Sequence, residues 1–168
     1  SKEDGWIWAV FSPETQPPSL QVALLAEKFI GKPFSEGEDE RMSREELEYA
    51  MGWVNEHFKF ILPDEEKEFT LDTILEKTKV LVRRYGINGL VIDPWNNLDN
   101  SKPFGVSSTE YLGQSLRAIN IFKRKYNLWW GIVVHPTKLL KDKEGESTVP
   151  TPSDAMGQSH WCKMYRGR

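Results

Sequence analysis

The chain has 168 residues, of which 39% are apolar and 28% charged, and its formal net charge is −3. This composition excludes a disordered chain and a wholly basic surface for nucleic acid, and we expect residues 1–168 to form one globular domain. No apolar run approaches the roughly 20 residues of a membrane span. Because the lone cysteine, Cys162, cannot form an internal disulfide, we expect a cytoplasmic protein with no membrane partner.

Three short segments predict buried strands. They are GWIWAVFS, INGLVID and LWWGIVVH, at residues 5–12, 87–93 and 128–135. Each is almost continuously apolar and rich in β-branched and aromatic residues, without the alternation of a half-exposed strand. This pattern is typical of parallel strands that are covered on both faces.

Helical patterns lie between these strands. The first has Leu20, Ala23, Leu24 and Ala26 on neighbouring turns and should end at Gly31. A highly charged segment, residues 35–69, then predicts a second helix followed by a short extended piece around FKFIL.

Helix ends are predicted by capping residues. Ser43 with Glu46 and Ser107 with Glu110 have the spacing of capping boxes. Gly86 and Asn127 are residues that commonly end helices. The order strand, helices, strand, helix, strand predicts a parallel α/β sheet.

All three predicted strands finish in polar residues, in the stretches FSPE, IDPWN and VHPTK. Parallel α/β sheets bind ligands beyond the carboxyl ends of their strands. We therefore expect Glu14, Asp93 and His135 to lie at one edge of the sheet.

Each of the two carboxylates has a catalytic and a structural interpretation. An acid that ends an apolar run, as Asp93 does, is how a Walker B carboxylate reaches the magnesium of a bound nucleotide. The alternative is that Asp93 caps the turn begun by Pro94. Glu14 could polarise an attacking water as a general base, or else Ser12 or Glu14 could cap the following helix.

The third strand ends at His135, which could bind a terminal phosphate or be an ordinary loop residue. Lys138, Lys141 and Lys143 follow on a loop that suits either contact with a phosphate backbone or simple solvation. The sequence contains no G-x-x-x-x-G-K-[ST] motif, so a phosphate-binding P-loop is missing from this chain.

Taken together, three stretches resemble a known family. WAVFSPE, the long stretch from GLVIDPWNN to HPTKLLKDKEG, and VPTPSDAMGQSHW resemble the RecA-like motor domain of DnaB-type replicative helicases. The likeness is greatest to the branch of phage primase-helicases and Twinkle, and it covers residues 6–34 and 71–161. It implies an incomplete three-layer α/β P-loop NTPase core, with a mostly parallel sheet and helices on both faces.

The resemblance also implies an activity, namely ATP hydrolysis coupled to translocation along single-stranded DNA, with Mg²⁺ bound alongside ATP. Glu14 would be the catalytic glutamate that activates water. Asp93 would be the Walker B acid on Mg²⁺, and His135 would sense the γ-phosphate.

Two loops would face DNA by the same resemblance. Residues 97–108 would form the first loop, and Lys138, Lys141 and Lys143 would belong to the second. The turn that returns from the second loop would be shaped by three residues, Ser153, Asp154 and Gly157. The implied partners are single-stranded DNA, further copies in a hexameric ring, and a primase or other replisome protein, in a bacterial or phage-infected cell.

The sequence departs from the family at both ends. The Walker A segment is expected just before Ser1, and the final strands with their arginine after Arg168. We therefore expect a fragment that alone neither binds ATP tightly nor hydrolyses it, and that self-associates through exposed parts of its sheet. Two alternatives remain: a non-catalytic RecA-like module that binds DNA or protein partners, and a recombinase-type ATPase of the same fold.

Overall fold

A computed structural model describes residues 5–62, 69–98 and 104–135 of the chain. Its helices and strands follow in the order β1 (Trp8–Phe11), α1 (Pro18–Ile30), α2 (Arg44–His57), β2 (Phe58–Phe60), α3 (Leu71–Tyr85), β3 (Gly89–Ile92), α4 (Ser108–Tyr126) and β4 (Trp129–Ile132). A single 3₁₀ turn, Trp95–Asn97, follows β3.

The four strands form one parallel sheet in the order β2-β1-β3-β4. β1, β3 and β4 are in register, from the row Trp8, Gly89 and Trp129 to a last row that contains Phe11, Ile92 and Ile132. Their carboxyl ends are therefore level at one edge of the sheet. This confirms the predicted parallel α/β sheet and its three strands, although each strand is shorter than its apolar run. The extended piece around FKFIL forms the fourth strand.

One face of the sheet carries the main core. Ala9, Phe11, Leu90 and Ile92 alternate along β1 and β3 and are 0–1% exposed. They pack with apolar residues of α3 and α4, which are Leu71, Ile74, Leu112, Leu116 and Ile119. Burying a side chain of this size contributes about 1.5–3 kcal/mol, so this face is the main source of stability in the sheet.

The other face of the sheet is less covered. Trp8, Val10 and Val91 are only partly buried, while Trp129 is 48% and Val133 41% exposed. β4 is an edge strand of the sheet in the part of the chain that the structure describes. It is consequently more exposed than its apolar sequence predicted.

The helix ends agree with the capping pattern. Ser43 and Glu46 form a full capping box, and Ser107 Oγ accepts from the Glu110 amide at the start of α4. The Ser43 N–H, and after it Lys32, holds the pKa of the Glu46 carboxyl below its usual value. Asn127 ends α4 in the left-handed conformation, with φ 51°.

Glycines end α1 and α3 as predicted, since Gly31 and Gly86 both have positive φ. The predicted apolar face of α1 was wrong in part, because Leu20 and Leu24 are 44% and 42% exposed. α1 instead packs with α2 in a small separate cluster around Ala26, Met42 and Ala50.

Candidate functional site

The site lies at the carboxyl edge of the sheet, where backbone hydrogen bonds continue one residue past the strands. The Asp93 N–H donates to the Phe11 carbonyl, and the Val133 N–H donates to the Ile92 carbonyl, each at 2.9 Å. These bonds keep the tip of β3 aligned with the tips of β1 and β4. Asp93 therefore lies on the central strand of the three, between the strands that lead to Glu14 and His135.

Glu14 and His135 reach towards each other from strands that are not neighbours. β1 and β4 lie on either side of β3, which separates their axes by about 10 Å. Nevertheless, His135 Nε2 lies 4.0 Å from Glu14 Oε2, and the two side chains are 53% and 46% exposed. The pair consequently meets near the tip of β3, beside the strand that ends in Asp93.

The Asp93 carboxylate is available to a ligand. Asp93 is partly buried, and its carboxylate makes no hydrogen bond or ion pair with the residues that the structure describes. The 3₁₀ turn after it begins at Pro94 and has no side-chain cap. The alternative in which Asp93 caps this turn is therefore wrong.

A buried glutamine holds the loop that carries Glu14. Gln21 Nε2 on α1 donates to the carbonyls of Ser12 and Thr15, at 3.0 and 2.9 Å. The Ser12 hydroxyl contacts the Thr15 hydroxyl at 3.1 Å, and α1 begins after Pro17 without a side-chain cap. The alternative in which Ser12 or Glu14 caps α1 is therefore also wrong.

The tip of β4 is held by an asparagine. Asn96 Oδ1 accepts from the His135 N–H at 2.8 Å, and Asn96 Nδ2 donates to the His135 carbonyl at 3.5 Å. Sequence reasoning missed both Asn96 and Gln21. The available clues were an amide within the apolar pattern of α1 and an asparagine three residues after the acid at a strand tip.

The site could hold a metal only with ligands from outside the described side chains. No group of three or more His, Cys, Asp or Glu residues in residues 5–62, 69–98 and 104–135 is arranged to bind a metal ion. One available carboxylate at a sheet edge nevertheless suits Mg²⁺, which commonly takes one or two protein carboxylates and completes its shell with phosphate oxygens and water. Asp93 fits such a site.

The remaining predicted site residues cannot be placed. Lys138, Lys141 and Lys143 lie outside the described residues, as do Ser153, Asp154, Gly157 and most of the loop between β3 and α4. Among the described residues, no helix is long and apolar enough to cross a membrane.

Comparison with known proteins bears on the family. No family model matches the chain. The Twinkle homolog protein, chloroplastic/mitochondrial, of Arabidopsis thaliana is 34% identical over 161 residues, which cover 94% of this chain and 22% of that protein. Two solved structures share the fold. A helicase-type ATPase domain has a TM-score of 0.63 at 15% identity, and a DnaB-like replicative helicase studied for its interactions with primase has a TM-score of 0.66 at 13% identity.

The chain is a RecA-like domain of the DnaB and Twinkle type. The solved structures match 96% and 95% of this chain but only 57% and 40% of their own chains. The predicted family and the RecA-like α/β fold class are thereby confirmed. This DnaB and Twinkle-type domain spans only 22% of the length of its Arabidopsis relative.

Proposed function

We propose that this chain is part of the motor domain of an ATP-dependent replicative DNA helicase, in which ATP hydrolysis drives movement along single-stranded DNA. One observation carries the proposal: Glu14 and His135 meet at 4.0 Å across the strand that ends in Asp93. A catalytic centre for phosphoryl transfer needs a base, a metal ligand and a phosphate contact within a few ångströms. These three side chains can supply them.

Glu14 is the general base in this proposal. Its carboxylate is about half exposed and lies on the loop that Gln21 anchors to α1. A carboxylate in this setting can orient a water molecule and accept its proton as the water attacks the terminal phosphate of ATP.

His135 is the phosphate contact. Its ring is 53% exposed, and Nε2 points towards Glu14 rather than into the core. An imidazole N–H can donate a hydrogen bond to a phosphate oxygen. His135 would thereby link the occupancy of the nucleotide site to the loop that follows β4.

Asp93 is the residue that would hold Mg²⁺. Its carboxylate has no hydrogen bond or ion pair among the described residues, and it lies at the end of the central strand of the site. When bound, Mg²⁺ neutralises charge on the phosphates of the nucleotide. The P-loop that would cradle those phosphates is not in this sequence, and we place it in a preceding segment of the full-length protein.

The DNA-binding part of the proposal rests on the loops. We assign residues 97–108 and the lysines Lys138, Lys141 and Lys143 to contact with single-stranded DNA, because spaced lysines suit a phosphate backbone. We further propose a hexameric ring and a primase or other replisome partner. The proposed location is the cytoplasm of a bacterial or phage-infected cell, although the Arabidopsis relative is an organellar protein.

The test measures ATP hydrolysis, stimulated by single-stranded DNA, in the full-length protein. Glu14→Gln should lower kcat by about 10²- to 10⁴-fold while leaving binding of ATP with Mg²⁺ nearly unchanged, since only proton transfer is lost. Asp93→Asn should weaken the dependence of activity on Mg²⁺ concentration. His135→Ala should lower kcat with little change in the affinity for DNA.

The control is Asn120→Ala, since Asn120 is exposed on α4 and lies away from the carboxyl edge. This variant should hydrolyse ATP at the wild-type rate. Wild-type turnover by Glu14→Gln would show that the edge of the sheet is not the catalytic centre, and the proposed function would then fail.

A further inference from the structure

Asn96 replaces a strand partner that His135 lacks. The ladder between β3 and β4 ends with Ile92 and Ile132, and its last backbone bonds join Val133 to the Ile92 carbonyl and Trp95 to the Val133 carbonyl. Beyond this point the chain after β3 turns into the 3₁₀ helix and no longer runs beside β4. The Asn96 side chain takes over at that point.

An asparagine amide carries the same donor and acceptor groups as a peptide bond. Asn96 Oδ1 accepts from the His135 N–H at 2.8 Å, and its Nδ2 faces the His135 carbonyl at 3.5 Å. The first is a strong contact by its length and the second is near the limit of a hydrogen bond. The backbone of His135 is thus held mainly through its N–H.

This contact matters because little else fixes the histidine. The His135 side chain is 53% exposed, and its ring lies near Glu14 at 4.0 Å. An exposed pair at that distance contributes little energy on its own. The position of the ring therefore depends on where the backbone of His135 is held.

We propose that Asn96 is a positioning residue for His135, and that it couples the turn after Asp93 to the tip of β4. This inference rests on the proposed function, since it assumes that His135 contacts a phosphate. Asn96 touches neither nucleotide nor water in this proposal. It acts by keeping the imidazole where Glu14 and the reacting phosphate require it.

The chain offers a matched control at the opposite edge of the same strand. Asn88 precedes β3, and its Oδ1 accepts from the Ile7 N–H at 2.9 Å. Asn88→Ala therefore removes an asparagine-to-backbone bond of the same kind, but far from the site. Both alanine variants should lose a similar amount of stability.

The first measurement is hydrogen exchange of backbone amides by NMR in the 168-residue chain. Asn96→Ala should speed exchange of the His135 amide about fivefold, which corresponds to the loss of one hydrogen bond, and should leave the Val133 amide unchanged. Asn96→Asp keeps the acceptor and should keep the protection. Equal His135 exchange in Asn96→Ala and the wild type would overturn the inference.

The second measurement is ATP hydrolysis by the full-length protein. Asn96→Ala should lower kcat about tenfold or more with less than about a twofold change in KM for ATP, because a misplaced group costs rate rather than binding. Asn88→Ala should keep the wild-type kcat. An equal loss of kcat in both variants would overturn the positioning role and point to general destabilisation.

The two failures can be told apart. If Glu14→Gln lowers kcat while Asn96→Ala does not, the proposed function stands and the role of Asn96 is wrong. If neither variant lowers kcat, the proposed function fails, and the positioning role fails with it even when the His135 amide exchanges faster.

Discussion

Gln21 is a buried amide whose two ends are treated differently. It is 7% exposed, and its Nε2 donates hydrogen bonds to two backbone carbonyls of the loop from Ser12 to Thr15. Its Oε1 has no hydrogen-bond partner among the described residues. Rotating the amide would point this oxygen at two carbonyl oxygens, so the two acceptors fix its orientation and leave Oε1 unsatisfied.

Removing the amide of Gln21 should destabilise the protein. Gln21→Met keeps the length of the side chain but leaves the buried carbonyl of Ser12 and that of Thr15 without their donor. An unsatisfied buried acceptor costs about 1–3 kcal/mol, partly offset because the unpaired Oε1 is also removed. We expect the free energy of unfolding in urea to fall by about 1–2 kcal/mol.

Gln114→Met is the control for that change, because Gln114 is exposed on α4. Its free energy of unfolding should stay within about 0.5 kcal/mol of the wild type. If Gln21→Met is as stable as the wild type, the hydrogen bonds from Gln21 do not hold the Glu14 loop.

At the scale of the elements, the first row of the sheet is built around a glycine. Trp8 of β1, Gly89 of β3 and Trp129 of β4 are aligned in register. With no side chain on the middle strand, the two indole rings meet above it edge to face, with centroids 5.3 Å apart and planes at 82°. Such a pair contributes about 0.5–1.5 kcal/mol beyond the area that it buries.

A side chain at Gly89 should therefore destabilise the sheet. A Cβ at this position would lie 2.6 Å from Trp8 Cε3 and 3.3 Å from the Trp129 carbonyl oxygen. We expect Gly89→Ala to reduce the free energy of unfolding by about 1–3 kcal/mol, because the Trp8 ring must move and the strands on both sides restrict it. Fluorescence of the tryptophans during denaturation in urea would measure this.

Gly52 provides the opposite case. It lies within α2, and a Cβ there would meet nothing within 4 Å. Gly52→Ala should therefore raise the free energy of unfolding by about 0.5–1 kcal/mol, through helix propensity alone. Equal effects at Gly52 and Gly89 would contradict the role of the tryptophan row.

At the scale of the whole molecule, the sheet is asymmetric. One face is covered by α3 and α4, while the face that carries Trp129 and Val133 leaves them 48% and 41% exposed. β4 is also an edge strand within the described residues, with one side of its backbone open to pairing. Exposed apolar faces and open strand edges promote association between chains.

We therefore expect the chain to self-associate through this face. Sedimentation velocity at increasing protein concentration should show dimers or larger species, and Trp129→Lys should shift the population to monomer. Ile121→Lys is the control, because Ile121 is 53% exposed but lies on α4. A monomer at every concentration, or an equal effect of both changes, would count against association by the sheet.

The predictable part of the site followed from local patterns. Apolar runs that end in polar residues located the three strand tips, and therefore placed Glu14, Asp93 and His135 at one edge. Asn96 and Gln21 were missed because their partners are backbone atoms whose position depends on the fold. The Asn96 bond joins residues 39 positions apart, and nothing near Asn96 in the sequence identifies His135 as its partner.

The sequence by itself determined the parallel sheet, the helix ends and the resemblance to the DnaB and Twinkle type. These features depend on residues close together in the chain: continuous apolar runs, capping residues such as Ser43, and motif stretches around Asp93 and His135. Only the tertiary structure decided which residues touch. The strand order β2-β1-β3-β4 brings Glu14 to His135 across β3 and leaves β4 exposed, because distances between strands are set by long-range pairing rather than by local preference.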